Sequence, residues 1–485
     1  MLVPKCQYVV LLPEPRCTDT TGALLTAALP GSRMEEGFPR RDGSQPLIGI
    51  QLALRSMMSE TKAVFLHAGY RTAGTWLWSC FRRLNEVTAY YEPLHEMLST
   101  IDSTNLATST ADSWHSGHPR LEKPYFAEFA HLLGPDGRGI PGYEERFSID
   151  CFTGQTPDGA DRLEAYLRNL IAAAHEQGGV PVFKFCRSSG RLPWFRSTFP
   201  EAVHIVVEKN PISQWLSCWD LLAAHENPHF VAVPFAVLAL NRHAPMVGRV
   251  LDALHIDLPD VSHKPGEESF GTFLDFFRQH AVSVAPAAAY RAFLGHWLLT
   301  LQHAATHAHA IFDCDLAARS PAYTQAAERW VADLTGLAPS FGTVRQASGD
   351  NRDCGFDASE GLKIHLEAMH FGKEMVRTGA VHPDTFSLWA SKLAQATQVL
   401  AFGAQANWPQ MQVPLHRATR IVDIALIDGA GFDTVLAGEL AATRTALGEV
   451  RQQLARLQGS PFWRLTELVR QLCSPKRSTS SVNDR

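Results

Sequence analysis

Apolar and polar positions fall along the chain in blocks that read as strand, loop and helix in repetition. Ala63-Val64-Phe65-Leu66 is a short, bounded apolar run, the length of a buried strand. Small and polar residues follow from His67 to Thr75. Trp76-Leu77-Trp78-Ser79-Cys80-Phe81 then has spacing compatible with a helix. Val87–Tyr91 is β-branched and aromatic, and Pro93 would stop its pairing. Residues 98–160 are polar, rich in Ser, Thr, Gly and Pro, and weakly periodic. They predict a long loop that covers a site rather than building core. Asp161–His175 carries Leu163, Tyr166, Leu167, Leu170 and Ile171 on one helical face. Val180 to Arg187 and Val203 to Val207 predict two further strands, and Pro211 suits the first turn of a helix opening at Ile212. Residues 222–285 mix apolar helical stretches with His/Pro-rich turns. Tyr290–Ala310 predicts one long amphipathic helix, Ile311–Leu316 the last strand, and Ala322–Gly336 a helix closed by its glycine.

This alternation predicts an α/β fold in three layers, α/β/α, around a central parallel sheet, with a helical or coiled-coil tail. Residues 1–60, dense in turn formers and charge, read as a poorly structured extension, and 61–400 as the main domain. Residues 401–434 read as a linker, 435–470 as the helical tail and 471–485 as a disordered end. Leu436, Leu440, Thr443, Leu447, Val450, Leu454 and Leu457 recur at spacings of four and three. That is a short coiled coil through which residues 435–457 would self-associate or join a complex. A single helix packed on the body reads equally well.

Charge narrows the classes. A net charge of −5 and a pI near 6.5 argue against a general nucleic-acid binder. Nine cysteines, an odd number with no C-x-x-C, read as reduced thiols of a cytoplasmic protein. No apolar stretch has the length of a membrane span, and the N-terminal apolar run has Pro and charge close behind it, unlike a signal peptide. His303 and His307 stand four apart, but with no H-E-x-x-H and no third ligand they predict a packed or solvated pair, and no metal is expected.

The chemistry concentrates in His67–Thr75. A strand, a loop with Gly69 and Gly74, and a helix N-terminus form a device that holds phosphate. The helix's first amides lack internal partners, its pole is positive, Arg71 adds charge, and Thr72 and Thr75 add hydroxyls. No Lys follows Gly74, so this is not the G-x-x-x-x-G-K-[ST] loop of nucleoside triphosphatases, nor is it G-x-G-x-x-G. Taken alone, an ordinary strand-to-helix turn is the commoner explanation.

Arg71-Thr72-Ala73-Gly74-Thr75-Trp76-Leu77 resembles the phosphosulfate loop R-[ST]-[GA]-[GST]-[ST]-[WF]-L of sulfotransferases that use 3'-phosphoadenosine 5'-phosphosulfate (PAPS). Three more segments follow in that family's order. Tyr91-Glu92-Pro93-Leu94 is similar to the [YF]-E-P-[LV] of carbohydrate sulfotransferases, whose Glu is the general base. Lys184 and Arg187 match a K-x-x-R after an apolar run. Phe199-Pro200 through Ser217 resembles the second nucleotide motif, with Lys209 and Ser217 at the positions that bind the 3'-phosphate. Two departures stand out: Lys209 replaces Arg, losing the bidentate fork but keeping charge, and Asn210 replaces Asp. Asp313-Cys314-Asp315-Leu316 resembles a largely structural Y-E-D-L segment, and Ser460 to Thr466 the S-x-x-W-R-[LI]-T tail of bacterial surface-polysaccharide transferases. The family's late closing loop would fall at Thr343–Phe356, where Arg345 and Arg352 stand without the R-K-G form.

The resemblance covers roughly residues 61–340 and implies a P-loop-like fold and a PAPS-dependent O-sulfotransferase. Arg71, Thr72, Ala73, Gly74, Thr75 and Trp76 would hold the 5'-phosphosulfate, and Lys209 and Ser217 the 3'-phosphate. Glu92, Arg71 and Lys184 would be catalytic. Arg187 and His95 would touch the acceptor, a hydroxyl on a glycan or glycolipid. The rival expectations are a P-loop kinase or nucleotide hydrolase, and a non-catalytic scaffold for polysaccharide assembly.

Overall fold

Five short runs of β-branched and aromatic residues become strands: β1 (Val64–Ala68), β2 (Val87–Tyr91), β3 (Val180–Phe185), β4 (Val203–Glu208) and β5 (Ala310–Asp313). They are seen in a computed structural model that describes residues 63–114, 117–153, 156, 159–261, 270–342 and 353–402. The expected extension, the late loop with Arg345 and Arg352, the heptad and the tail lie outside the described residues. All pairings are parallel, in the order β2-β3-β1-β4-β5. The longer helices are α1 (Gly74–Arg82), α2 (Ala160–Glu176), α3 (Leu192–Thr198), α4 (Pro211–His225), α5 (His229–Leu240), α6 (Pro245–Ala253), α7 (Phe270–Ser283), α8 (Pro286–Leu301), α9 (Pro321–Thr335), α10 (Ala358–Arg377) and α11 (Pro383–Phe402). An all-parallel sheet with this many helices is consistent with a three-layer α/β fold. Its strands are nearly wholly buried, as parallel strands must be when helices cover both faces.

The topology decides where a site can form. After β1 the chain leads to β2, at one edge; after β4 it leads to β5, at the other. β1 and β4 are neighbours, with Ala68 opposite Val207. The loops leaving them therefore flank the crevice at the point where the winding reverses.

Three expectations need correction. Segment 98–160 is not an open cover. It carries short helical turns at Ser103–Thr108, Ala111–Trp114, Ala127–Leu132 and Glu145–Ser148. It also buries Tyr125, Phe126, Phe129 and Phe147 in the core around the sheet. Its apolar residues are too scattered for a period. What fixes them is tertiary: Arg82 donates to both oxygens of Glu128 at 2.7 and 2.8 Å, and Trp114 stacks on Tyr125 at 5.0 Å. The single helix expected over Tyr290–Ala310 ends at Leu301, with a turn at Ala304–His307. The chain must reverse there, because the His309 amide joins the ladder by donating to the His204 carbonyl (2.8 Å). The last strand stops at Asp313, whose side chain accepts from the Asp315 and Leu316 amides (2.9 Å each) and caps the turn Cys314–Ala317.

Two apolar clusters hold these elements. Around the sheet, Phe65 meets Phe183, Phe185, Phe195 and Phe199 edge-on, with centroids 5.2–5.7 Å apart. The second gathers α4, α5, α8, α10 and α11 about Trp215, Tyr290 and Trp389.

Candidate functional site

The loop from β1 to α1 is tight because of Gly74. A Cβ there would lie 2.4 Å from the Ala68 Cβ and 3.3 Å from Lys184 Cε. Gly69 has no such constraint, since its nearest contact would be an ordinary 3.4 Å, and neither glycine supplies the turn. Arg71 (φ 62°) and Ala73 (φ 69°) do, both in the left-handed region. For residues with a Cβ this costs roughly 1 kcal/mol or more each, strain of a kind that clusters at ligand clamps. The first turn of α1 has neither a side-chain cap nor an acidic residue, so its positive pole is uncompensated. Thr72 Oγ1 donates to the Gly69 carbonyl (2.9 Å), and Thr75 Oγ1 lies 3.4 Å from the Tyr91 hydroxyl. Trp76 faces away from this point, packed against Phe312 and Phe341 at 6.1 Å.

Arg71 is where the two strand ends meet. Its Nε donates to Ser217 Oγ at 2.9 Å, and its guanidinium lies over the Phe230 ring at 5.0 Å. Ser217 sits two turns into α4, so its hydroxyl looks back toward the sheet. Helix α4 starts at Asn210, whose Oδ1 accepts from the Ser213 amide (2.9 Å). Both the Asn210 amide and its Nδ2 donate to Asp315, each at 2.7 Å. That explains the departure from Asp at this position: a carboxylate cannot donate, and would face the Asp315 carboxylate instead. The Lys209 carbonyl accepts from Gln214 Nε2 (2.6 Å) and Trp297 Nε1 (3.2 Å). Burial pushes the Asp315 carboxyl up, but the ammonium groups of Lys392 and Lys209 outweigh it and hold it below the usual carboxylate range.

The ends of β2 and β3 contribute the acid-base groups. Glu92 is buried, with φ 43°, just before Pro93. Its Oε1 accepts from Lys184 Nζ, and its Oε2 from the Cys186 amide (2.9 Å). Burial pushes its pKa up, but the charges of Lys184 and Arg187 outweigh that, and the net direction is down. Lys184 is held well above its ordinary value, because the acidic groups beside it outweigh its burial. Its Nζ also lies 2.9 Å from Cys186 Sγ and 5.0 Å from the Tyr91 ring centroid. Arg187 pairs with Glu96 at 2.8 Å, while its buried Nε has no hydrogen-bond partner among the described residues. Glu96 is held down at about 2: burial pushes it up, but Arg187 and His95 overcome that. His95 Nδ1 accepts from the Met97 amide (3.1 Å), and burial lowers its basicity.

Some partners carry no signal in the sequence. His118, kept neutral by burial and by Arg71, stands edge-on to Tyr91, Tyr125 and Phe230. A second group links the strands from within. The Phe199 carbonyl can only accept, so neutral His204 donates through Nε2 (3.1 Å). His204 Nδ1 then accepts from His67 Nε2 (3.1 Å), and His67 Nδ1 from the Ser188 hydroxyl (2.7 Å). Burial lowers both rings well below 6.5, which keeps the chain neutral and its direction fixed. His67 on β1, His204 on β4, Ser188 beyond β3 and the Phe199 carbonyl before β4 make up this chain, which exists only where those segments meet in space. The geometry therefore joins Arg71 to Ser217 and Glu92 to Lys184, and leaves Trp76 in the packing.

Comparison with family models, curated proteins and solved structures returned no match. Among the described residues no group of three or more His, Cys, Asp or Glu is arranged to hold a metal, and no helix is long and apolar enough to cross a membrane.

Proposed function

We propose that the chain is a PAPS-dependent sulfotransferase acting on a hydroxyl acceptor, with a carbohydrate as the acceptor class. The observation that carries this reading is the Arg71–Ser217 hydrogen bond. Two segments 146 residues apart, each similar to a nucleotide motif of that family, meet at the reversal of a parallel sheet. Supporting it, a carboxylate and an ammonium lie against the same loop, where a hydroxyl and a departing phosphate would need them.

The reaction is an in-line exchange. The bond from sulfur to the phosphate oxygen breaks as the bond from sulfur to the acceptor oxygen forms. The acceptor's proton passes to Glu92, and adenosine 3',5'-bisphosphate leaves. As in phosphoryl transfer, the protein's work is positioning and charge stabilisation. The α1 pole, Arg71 and Thr75 hold the phosphosulfate, while Lys209 and Ser217 hold the 3'-phosphate. Lys184 stays protonated and steadies the bridging oxygen. Glu92 stays ionised, ready to accept once the incoming hydroxyl displaces part of its contact with Lys184.

Calorimetry with adenosine 3',5'-bisphosphate, adenosine 5'-phosphate and ATP–magnesium tests the reading. The bisphosphate should bind at least about tenfold tighter than the monophosphate, as a charged 3'-contact requires, and Ser217→Ala should narrow that gap. Preference for ATP–magnesium would favour a kinase or hydrolase, and absence of any binding a scaffold; either result overturns the proposal.

A further inference from the structure

Four ionisable side chains meet at the ends of β4 and β5, and one of them, Glu208, lines the same pocket as Gly69 and Thr72 of the loop after β1. Lys392 comes from α11, in a part of the chain beyond the sulfotransferase resemblance. Its Nζ is fully buried and lies 3.2 Å from Glu208 Oε1, 2.7 Å from Asp313 Oδ1 and 2.9 Å from Asp315 Oδ2. Three carboxylates around one ammonium leave a surplus of negative charge. The Glu208 carboxyl, whose Oε2 has no hydrogen-bond partner among the described residues, is pushed well above its ordinary value by burial and by Asp313 and Asp315, against the pull of Lys392. Asp315 is the member that reaches outward. Its Oδ2 takes both the Lys392 ammonium and the Asn210 amide, and its Oδ1 takes Asn210 Nδ2. Asn210 in turn caps α4, the helix that carries Ser217 to Arg71. Helix α11 packs on α4 and α10, so the ammonium is delivered by a rigid helical pair.

We infer that Lys392 is a positioning residue for the 3'-phosphate end of the site: its ammonium orients the Asp315 carboxylate, which sets Asn210 and the entry of α4, and with them Lys209 and Ser217. The inference rests on the proposed function for the ligand but not for the geometry. A purely structural account treats Lys392 as counter-charge alone, which any neutralising change replaces. A positioning role needs its donor on Asp315.

The discriminating variant is Lys392→Met combined with Asp313→Asn. It removes one positive and one negative charge, keeps Asp315, and leaves a side-chain amide oxygen at position 313 to cap the turn that follows. Two readouts follow. Hydrogen exchange at the Asn210 and Ser213 amides needs no ligand, and should quicken at least roughly tenfold while β1 and β3 amides stay unchanged. The preference for adenosine 3',5'-bisphosphate over adenosine 5'-phosphate should fall by roughly tenfold, with monophosphate affinity nearly unchanged. Lys392→Arg alone, which keeps a donor on Asp315, should retain most of that preference. Wild-type exchange and wild-type preference in the double variant would overturn the inference. If the unaltered protein binds neither nucleotide, the proposed function fails, and exchange alone decides the positioning role. If the double variant does not fold, native-state exchange of the unaltered protein decides: the Asn210 amide should open together with the α11 amides, and independent opening overturns the coupling.

Discussion

Glu92 shows what a single residue has to reconcile. It is buried, held in a left-handed backbone conformation, and committed to Lys184 and the Cys186 amide. Burial alone would favour its neutral acid, but the two nearby cations keep it ionised. Glu92→Gln should therefore leave bisphosphate affinity nearly unchanged while turnover drops at least about a hundredfold, the usual loss for a general base. Steady-state kinetics beside calorimetry checks this, and unchanged turnover would remove Glu92 from the mechanism. Glu92 was singled out from Tyr91-Glu92-Pro93-Leu94. Its tie to Lys184 was not, since a sequence cannot show that residues 92 and 184 end adjacent strands.

At the scale of elements, the β1–α1 connection depends on one close approach. Gly74→Ala would drive a methyl into the Ala68 Cβ and displace the start of α1. Bisphosphate affinity should fall at least about tenfold with the fold retained, since a preorganised anion site loses its geometry. Gly69→Ala, whose methyl meets only ordinary contacts, should bind normally and is the control. Equal effects of the two would mean that the approach at Gly74 does not shape the site. Strand and helix identities here were readable because β-branched runs and the Gly-containing loop are local signals. The left-handed residues Arg71 and Ala73 were not, because tertiary packing rather than intrinsic preference holds them there. The segment 98–160 was misread for a similar reason: Tyr125, Phe126 and Phe129 are core only because a sheet edge and Arg82 stand beside them.

At the scale of the whole molecule, the surplus of acid at the ends of β4 and β5 contributes to the response of stability to pH. Burial, Asp313 and Asp315 push Glu208 well above its ordinary 4.5, against the pull of Lys392. A carboxyl raised in the folded state costs stability wherever the unfolded chain is already ionised. The penalty is absent below its ordinary value and grows as pH rises toward the folded one. Glu208→Gln should therefore raise the melting temperature more at about pH 8 than at about pH 5. Thermal melts at the two values check the sign, and a gain confined to the acid side would show that Glu208 is ionised when folded. Glu96 behaves oppositely. Its depressed value of about 2 contributes stability that is present above the ordinary 4.5 and lost as pH falls toward the folded value.

The sequence by itself determined the local alphabet: which runs extend, which coil, where glycine and proline punctuate, and which charged residues sit at strand ends. Those features follow from side-chain shape and backbone preference within a few residues. Tertiary structure alone decided that the loops after β1 and β4 share one crevice, that Arg71 meets Ser217, and that Asn210 needs an amide to face Asp315. It also decided that a lysine near the end of the described chain completes the charge pattern there. Each of these requires strands distant in sequence to pair in one order, and that order is set by burying a common core.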